Sequence, residues 1–402
     1  MREKIFSGLS RAQDPGFDIF SIIDTYALKQ TNLEAFQKAG LTGDGIKLGI
    51  IDGGFAFADT AARLQHVITS HHLGETRNFL NDSRDIFNEA SAIGDFHGSI
   101  VWHLTGGRDA KGGNMMGPAT EATYYLASAD EPEHESRDEE QNWIKALEWL
   151  QANEVRVVNS SLTYSTGYDD PAENYLPEQM DGKTTKVTRT ASEAAEKGII
   201  LVVAAGNEGE DEEWQIIAAP ADTENVITVG AADREGLKAG MSAVGSGFTP
   251  YVKPDVACYG FSGTSTTAPV ITGMIACMLQ KDPGLSPARV KDILVRSSDL
   301  YPFPNNYLGY GIPDARKILA IMNGQRIIYN AKEILAKEEY SMNGIASDNP
   351  SIRLFHKIDV YKVSSQELYV PSEGSLTIKR PSAEITRTTI AGKDFVREVV
   401  WQ

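Results

Sequence analysis

Ile199-Ile200-Leu201-Val202-Val203-Ala204-Ala205 is the longest strongly apolar run in the chain, and what flanks it decides the fold. The run is far shorter than the roughly 20 residues a membrane-spanning helix needs, so it reads as a strand. The Ala-rich stretch Thr190 to Lys197 reads as a helix that enters this strand through Gly198. Working outward, further strands are expected at Ile46 to Ile51, Thr123 to Ala127, Val155 to Asn159 and Val226 to Ala231, with helices between them. Gln141 to Ala152 places Trp143, Ile144, Leu147 and Leu150 on one helical face, and Ser286-Pro287 caps and opens a helix to about Arg296. Alternation of strand and helix predicts an α/β domain whose mostly parallel central sheet is flanked by helices. After Asn323 the texture changes. Ile352, Leu354, His356, Ile358 and Val360 alternate with their neighbours, and short β-type runs recur at Glu367 to Val370 and Ser375 to Lys379. The expected division is an N-terminal extension (1–31), a main domain (32–323) and a small β-rich C-terminal appendage (324–402).

The 402 residues are 41% hydrophobic and carry 38 Lys+Arg against 55 Asp+Glu, a net charge of −17. This composition supports a large core and excludes disorder as the main state. The acidic balance gives no electrostatic footprint for nucleic acid or anionic lipid. The acidic cluster from Asp130 to Glu140 reads as a solvated loop. Two cysteines, Cys258 and Cys277, cannot build a disulfide framework or a four-thiolate zinc site and are expected as buried free thiols. Met1 to Asp18 lacks an apolar signal core, so either the protein is cytoplasmic or an export signal has been removed. Composition says nothing about oligomeric state.

Three segments place an acid, a base and a nucleophile where elements end. Ile50-Ile51-Asp52-Gly53-Gly54 is an apolar strand ending in an aspartate, at the edge where open α/β sheets bind ligands. His97, in Asp95-Phe96-His97-Gly98-Ser99, opens an apolar helix and carries an imidazole that can take a proton near neutral pH; alone, it reads more readily as a polar cap. Ser262-Gly263-Thr264-Ser265-Thr266-Thr267 is a small-residue turn leading into the helix Val270 to Leu279. A serine there lies near unsatisfied backbone N–H groups, although a plain Ser/Thr cap has the same spelling. No HExxH or similar ligand spacing occurs, so neither metal catalysis nor a cofactor is expected.

Taken together, the order Asp52, His97, Ser265 resembles the subtilisin-like serine peptidases, for which this order is characteristic. Val158-Asn159-Ser160-Ser161-Leu162 is similar to the family's substrate-strand segment, and Ala204-Ala205-Gly206-Asn207-Glu208 to its oxyanion-hole asparagine motif. Lys253-Pro254-Asp255-Val256 and Gly309-Tyr310-Gly311 match as well. The resemblance implies a three-layer subtilisin-like fold and a serine endopeptidase working through an acyl-enzyme. It assigns Ser265 as nucleophile, His97 as base, Asp52 as orienting carboxylate and Asn207 as oxyanion donor, with Thr264 assisting. It further implies extended peptide substrates paired along Ser161, Leu162 and Thr163, and an S1 pocket lined by Ala204, Ala205 and Gly206. Glu208, with Glu210, Asp211, Glu212 and Glu213, favours a modest preference for Lys or Arg at P1, against the reading of a solvated acidic loop.

The chain departs from the family where Thr163 replaces a usual glycine and where only six residues separate Cys258 from Ser265. Arg108 to Gly113 lacks the family's Asn-rich calcium loop, so a calcium requirement is not expected. The spellings around Trp214 and Ala219-Pro220-Ala221 resemble exported bacterial members and favour a secreted or periplasmic protein over a cytoplasmic one. The rival reading is a catalytically inactive peptide-binding module of the same fold. A nucleotide site is discarded because Gly40-Leu41-Thr42-Gly43-Asp44-Gly45 precedes a strand and lacks the Gly-Lys-Ser/Thr ending. An α/β-hydrolase is disfavoured because no Gly-x-Ser-x-Gly elbow occurs.

Overall fold

The computed structural model describes residues 23–83, 85–87, 96–109, 114–130, 134–345, 351–372 and 374–402. Seven strands, β1 (Lys47–Asp52), β2 (Leu73–Asn78), β3 (Thr123–Ser128), β4 (Val157–Ser160), β5 (Ile200–Ala204), β6 (Ile227–Ala232) and β7 (Val256–Tyr259), form one sheet in the order β2-β3-β1-β4-β5-β6-β7. Every pairing in it is parallel. The five strands expected from apolar runs are all present, with ends shifted by one or two residues. β2 and β7 were not expected. β2 is a polar edge strand with little buried surface, and β7 is only four residues long.

Alternation across β1, β4 and β5 builds a core on each face of the sheet. Leu48, Ile50, Val157, Ile200 and Val202 face a first core, which is covered by α1 (His97–Gly106), α4 (Ala268–Lys281), α5 (Pro287–Ser297) and α6 (Ala315–Met322). Ile51, Val158, Leu201 and Val203 face a second, covered by α2 (Asp138–Ala152) and α3 (Lys186–Glu196). Ser286 caps α5 as expected, its Oγ accepting from Arg289 N at 3.2 Å. Ala27 and Leu33 lie in the first core, so the chain packs against the main domain from before residue 32. Gln30 Oε1 accepts the Tyr259 N–H at 2.7 Å and closes the β7 edge. Cys258 and Cys277 are free and buried. No helix among the described residues is long and apolar enough to cross a membrane.

The C-terminal strands are β8 (Ala331–Ala336), β9 (Glu339–Asn343), β10 (Ile352–Lys357), β11 (Val363–Tyr369), β12 (Ser375–Lys379), β13 (Arg387–Ala391) and β14 (Val396–Trp401). They form a five-stranded sheet, β11-β10-β13-β14-β8, and a two-stranded one, β12-β9. The alternation read from Ile352 to Val360 stops at Lys357, because Asp359 accepts from Tyr361 N and Lys362 N and turns the chain. Within β10 both faces are buried. Ile352 and Leu354 enter the appendage core, while Phe355 meets Ala257, Leu300 and Leu308 of the main domain. On that second face Arg353 pairs with Asp299 at 2.8 Å and donates to Gly236 O at 3.1 Å. Phe355→Ala should therefore cost about 3–5 kcal/mol by emptying this seam. Chemical denaturation reads the loss, and a change below about 1 kcal/mol would show that the seam carries no packing.

Candidate active site

Parity along β1 sets the first element of the site. Asp52 follows Leu48 and Ile50 at alternate positions and so points to the face covered by α1 and α4. β1 is also where the strand order reverses, the position at which open parallel sheets hold ligands at their carboxyl ends. Asp52 is fully buried, and its Oδ1 accepts from Gly53 N at 2.9 Å. His97 Nδ1 lies 2.6 Å from the same oxygen. A carboxylate only accepts, so the imidazole proton sits on Nδ1. Asp52 Oδ2 has no hydrogen-bond partner among the described residues, so this buried charge is answered chiefly through Oδ1. α1 reaches β1 closely because Gly98 has no side chain: a Cβ there would sit 2.4 Å from Gly54 O.

Ser265 occupies a short 3₁₀ turn, Thr264–Thr266, that runs into α4 and packs against α1. The threonines hold the turn: Thr266 Oγ1 donates to Gly263 O at 2.8 Å and Thr267 Oγ1 to Thr264 O at 2.7 Å. Gly263 has φ +149°, a conformation that favours glycine, and a Cβ on it would lie 3.0 Å from Asn207 Oδ1. Asn207 Oδ1 accepts the Thr264 N–H at 2.8 Å, which assigns the oxygen side of the amide to the turn. The Thr264 hydroxyl is buried, accepts from Gly206 N at 3.1 Å and lies 3.2 Å from Asn207 Oδ1. It is thus a strut between the serine turn and the asparagine segment.

Ser161 Oγ donates to Ser265 O at 3.3 Å and accepts from Asn159 Nδ2 at 3.0 Å. Ser161, Leu162 and Thr163 continue β4 outside the sheet and are half-exposed. Ala204 and Ala205 are buried in opposite cores, with Gly206 following at φ +107°. Asp52 and His97 are thus joined directly, and Ser265, Asn207, Thr264 and Ser161 form one bonded group beside α1. Glu208 turns its carboxylate back to accept the Asn207 N–H at 2.7 Å.

The acidic stretch read as a solvated loop is a correction. Asp130, Glu139 and Glu140 are buried, because the first turn of α2 faces the loop that carries Tyr168 and Tyr175, whose hydroxyls donate to Glu140 at 3.1 and 2.9 Å. The sequence signal for this was the pair Tyr168 and Tyr175, whose hydroxyls need acceptors when buried. Residues 131–133 of that stretch lie outside the described residues, as do 110–113 of the segment expected to lack a calcium loop.

The sequence pattern of the Subtilase family matches residues 43–311. The chain belongs to the subtilase family. It is 26% identical over 297 residues to Subtilisin NAT of Bacillus subtilis subsp. natto, covering 71% of this chain and 69% of that protein. Subtilisin of Bacillus pumilus is 25% identical over 297 residues, covering 71% of this chain and 95% of that one. Among solved structures, the Clostridium perfringens CspB protease aligns with a TM-score of 0.63 at 15% identity, covering 75% of this chain and all of that one. MycP1 of the ESX-1 type VII secretion system aligns at 0.57 and 18% identity, covering 73% and 85%. This likeness establishes the subtilisin-like α/β fold, and the family is one of serine peptidases.

Burial pushes the Glu208 carboxyl above its ordinary range, so its ionised form is disfavoured in the folded chain. A raised acid pKa lowers stability as pH climbs past the ordinary carboxyl range and costs nothing below it. Glu208→Gln should therefore melt with wild type near pH ~4 and above it near pH ~7. Equal melting temperatures at both values would dismiss burial as the cause.

Proposed function

We propose that this subtilase is a serine endopeptidase in which Ser265 attacks the scissile carbonyl, His97 takes its proton and then protonates the leaving amine, and Asp52 orients the imidazole. The observation that carries the reading is the 2.6 Å contact between Asp52 and His97 on the sheet face that also bears the Ser265 turn. With the proton on Nδ1, the imidazole lone pair is on Nε2, the tautomer a general base requires. The bond to Asp52 stabilises the imidazolium once it forms. The Ser265 N–H and Asn207 Nδ2 donate to the tetrahedral oxyanion, and Thr264 assists with its hydroxyl while holding the asparagine in place. The acyl-enzyme is then hydrolysed by water through the same base.

Substrate binds extended along Ser161, Leu162 and Thr163, whose half-exposed backbone continues β4 and can pair with an added strand. Ala204, Ala205 and Gly206 form the wall of S1 through their backbone. The acids Glu210, Asp211, Glu212 and Glu213 that follow Glu208 at this rim give a modest preference for Lys or Arg at P1. The peptidase unit spans 32–323 and the appendage 324–402. An exported protein is in keeping with a relative named minor extracellular protease Epr, of Bacillus subtilis, 25% identical over 279 residues.

A fluorophosphonate should label wild type at Ser265, and Ser265→Ala should lose both the label and the cleavage of a denatured protein. Label without cleavage, or cleavage by the alanine variant, overturns the assignment; the absence of both in wild type would favour the inactive peptide-binding module. Asn207→Ala should lower kcat on the order of 10²–10³-fold with little change in KM, the size known for an oxyanion donor of subtilisin itself.

A further inference from the structure

The buried acids at the end of β3 have a geometry of their own. Asp130, Glu135 and Glu139 each present one carboxylate oxygen, and these atoms all lie within 4.8 Å of one another. Asp130 is 6% and Glu139 3% exposed, and Glu135 is half-buried. Three carboxylate oxygens gathered this closely form a hard-oxygen donor set of the kind that surrounds a divalent cation. Oxygens that share one Ca²⁺ at about 2.3–2.6 Å stand up to about 5 Å apart across the ion, so a single ion can reach all three.

A second observation comes from a different segment. Tyr164 is 4% exposed, and its hydroxyl has no hydrogen-bond partner among the described residues. Burial holds the phenol neutral, and the nearby charges of Asp130 and Glu139 act in the same direction, so the hydroxyl lies within electrostatic reach of the acidic group. Buried hydroxyls without partners are uncommon in folded proteins, and a water bound to a metal among the carboxylates would supply one.

We propose that Asp130, Glu135 and Glu139 bind a calcium-type divalent cation, with the Tyr164 hydroxyl bonded to a water in its coordination shell. The donor set is all hard oxygen, without His or Cys, which selects Ca²⁺ over zinc-type metals. The ion ties together three pieces of the cleft rim. Asp130 follows Ala129, whose N–H bonds Asp52 O at 2.9 Å; Glu139 lies in the first turn of α2; Tyr164 directly follows the 161–163 segment and is bridged to Ala219. Calcium would therefore stiffen the wall beside Ser161 to Thr163 without entering the chemistry.

The test uses the full chain carrying Ser265→Ala to prevent self-cleavage, stripped with a chelator, with Tb³⁺ luminescence excited through Tyr and Trp and melting curves with and without millimolar Ca²⁺. Saturable luminescence displaced by Ca²⁺ is expected, with a rise in melting temperature of roughly 3 °C or more. Glu139→Gln should abolish both, and Glu135→Gln should weaken binding at least about tenfold. If Glu139→Gln does not fold, the half-exposed Glu135→Gln decides. Tyr164→Phe should melt no lower than its parent without calcium, since it removes an unpartnered hydroxyl, and gain less from calcium. No luminescence and no melting shift in the parent overturns the proposal, and includes the case in which the acids receive a substrate guanidinium. An unchanged shift in Glu135→Gln and Asp130→Asn places the ion elsewhere and overturns it equally.

Discussion

The side-chain alternation of β1 is the constraint on which the site depends. Leu48 and Ile50 must be buried, and the helices that bury them are α1 and α4. Asp52 shares their face, so the packing that closes the first core also brings the start of α1, with His97, and the turn before α4, with Ser265, to the carboxylate. No separate device is needed to gather these groups from distant parts of the chain. A slip of one residue in β1 would send Asp52 to the α2 side and leave the imidazole without its acceptor. Hydrophobic burial and site geometry are therefore one requirement met by one strand.

The fold was legible where apolar runs were long enough to be buried on both faces, as at Ile199 to Ala205. It was illegible at the margins. β2 exposes Gly74 and Glu75 and leaves Thr76 and Arg77 half-buried, and an edge strand needs little hydrophobic content to pair. Of the proposed site, Asp52, His97 and Ser265 could be singled out because each sits at the end of an element with glycine or small neighbours, and Asn207 through the family resemblance of its motif. The burial of Asp130, Glu139 and Glu140 could not. Charge runs usually stay in water, and only the turn of α2 against the tyrosine loop takes these acids inside. β10 misled for the opposite reason: its second face is covered by a different part of the chain, which no local periodicity reports.

The Lys253-Pro254-Asp255-Val256 motif has a structural role. Lys253 Nζ is buried and donates to Val226 O and Thr228 Oγ1 at 2.9 Å and to Asp255 Oδ2 at 2.8 Å, while Lys291 approaches Asp255 Oδ1 at 2.6 Å. Asp255 Oδ2 also accepts the Thr228 N–H at 2.8 Å. One buried carboxylate thus pins the start of β6 to the segment entering β7, where the ladder itself is short. Lys357 and Glu398, 2.6 Å apart and buried, form a similar internal pair in the appendage. Charges brought inside this strongly acidic protein hold register, and such pairs tolerate loss of one partner poorly.

The parallel pairing of β8 with β14 has a consequence in time. Within its sheet β8 touches only β14, so Ala331 waits for Val396 before it gains a neighbour. As the chain leaves the ribosome, the main domain can complete both cores while β8 is still a lone strand and the surface around Ala257 and Leu308 is uncovered. The seam is sealed by Phe355, Val363 and Ala391, all synthesised after the residues they cover. During that interval the nascent protein exposes an apolar face and an unpaired edge together, the combination most inviting to a wrong partner.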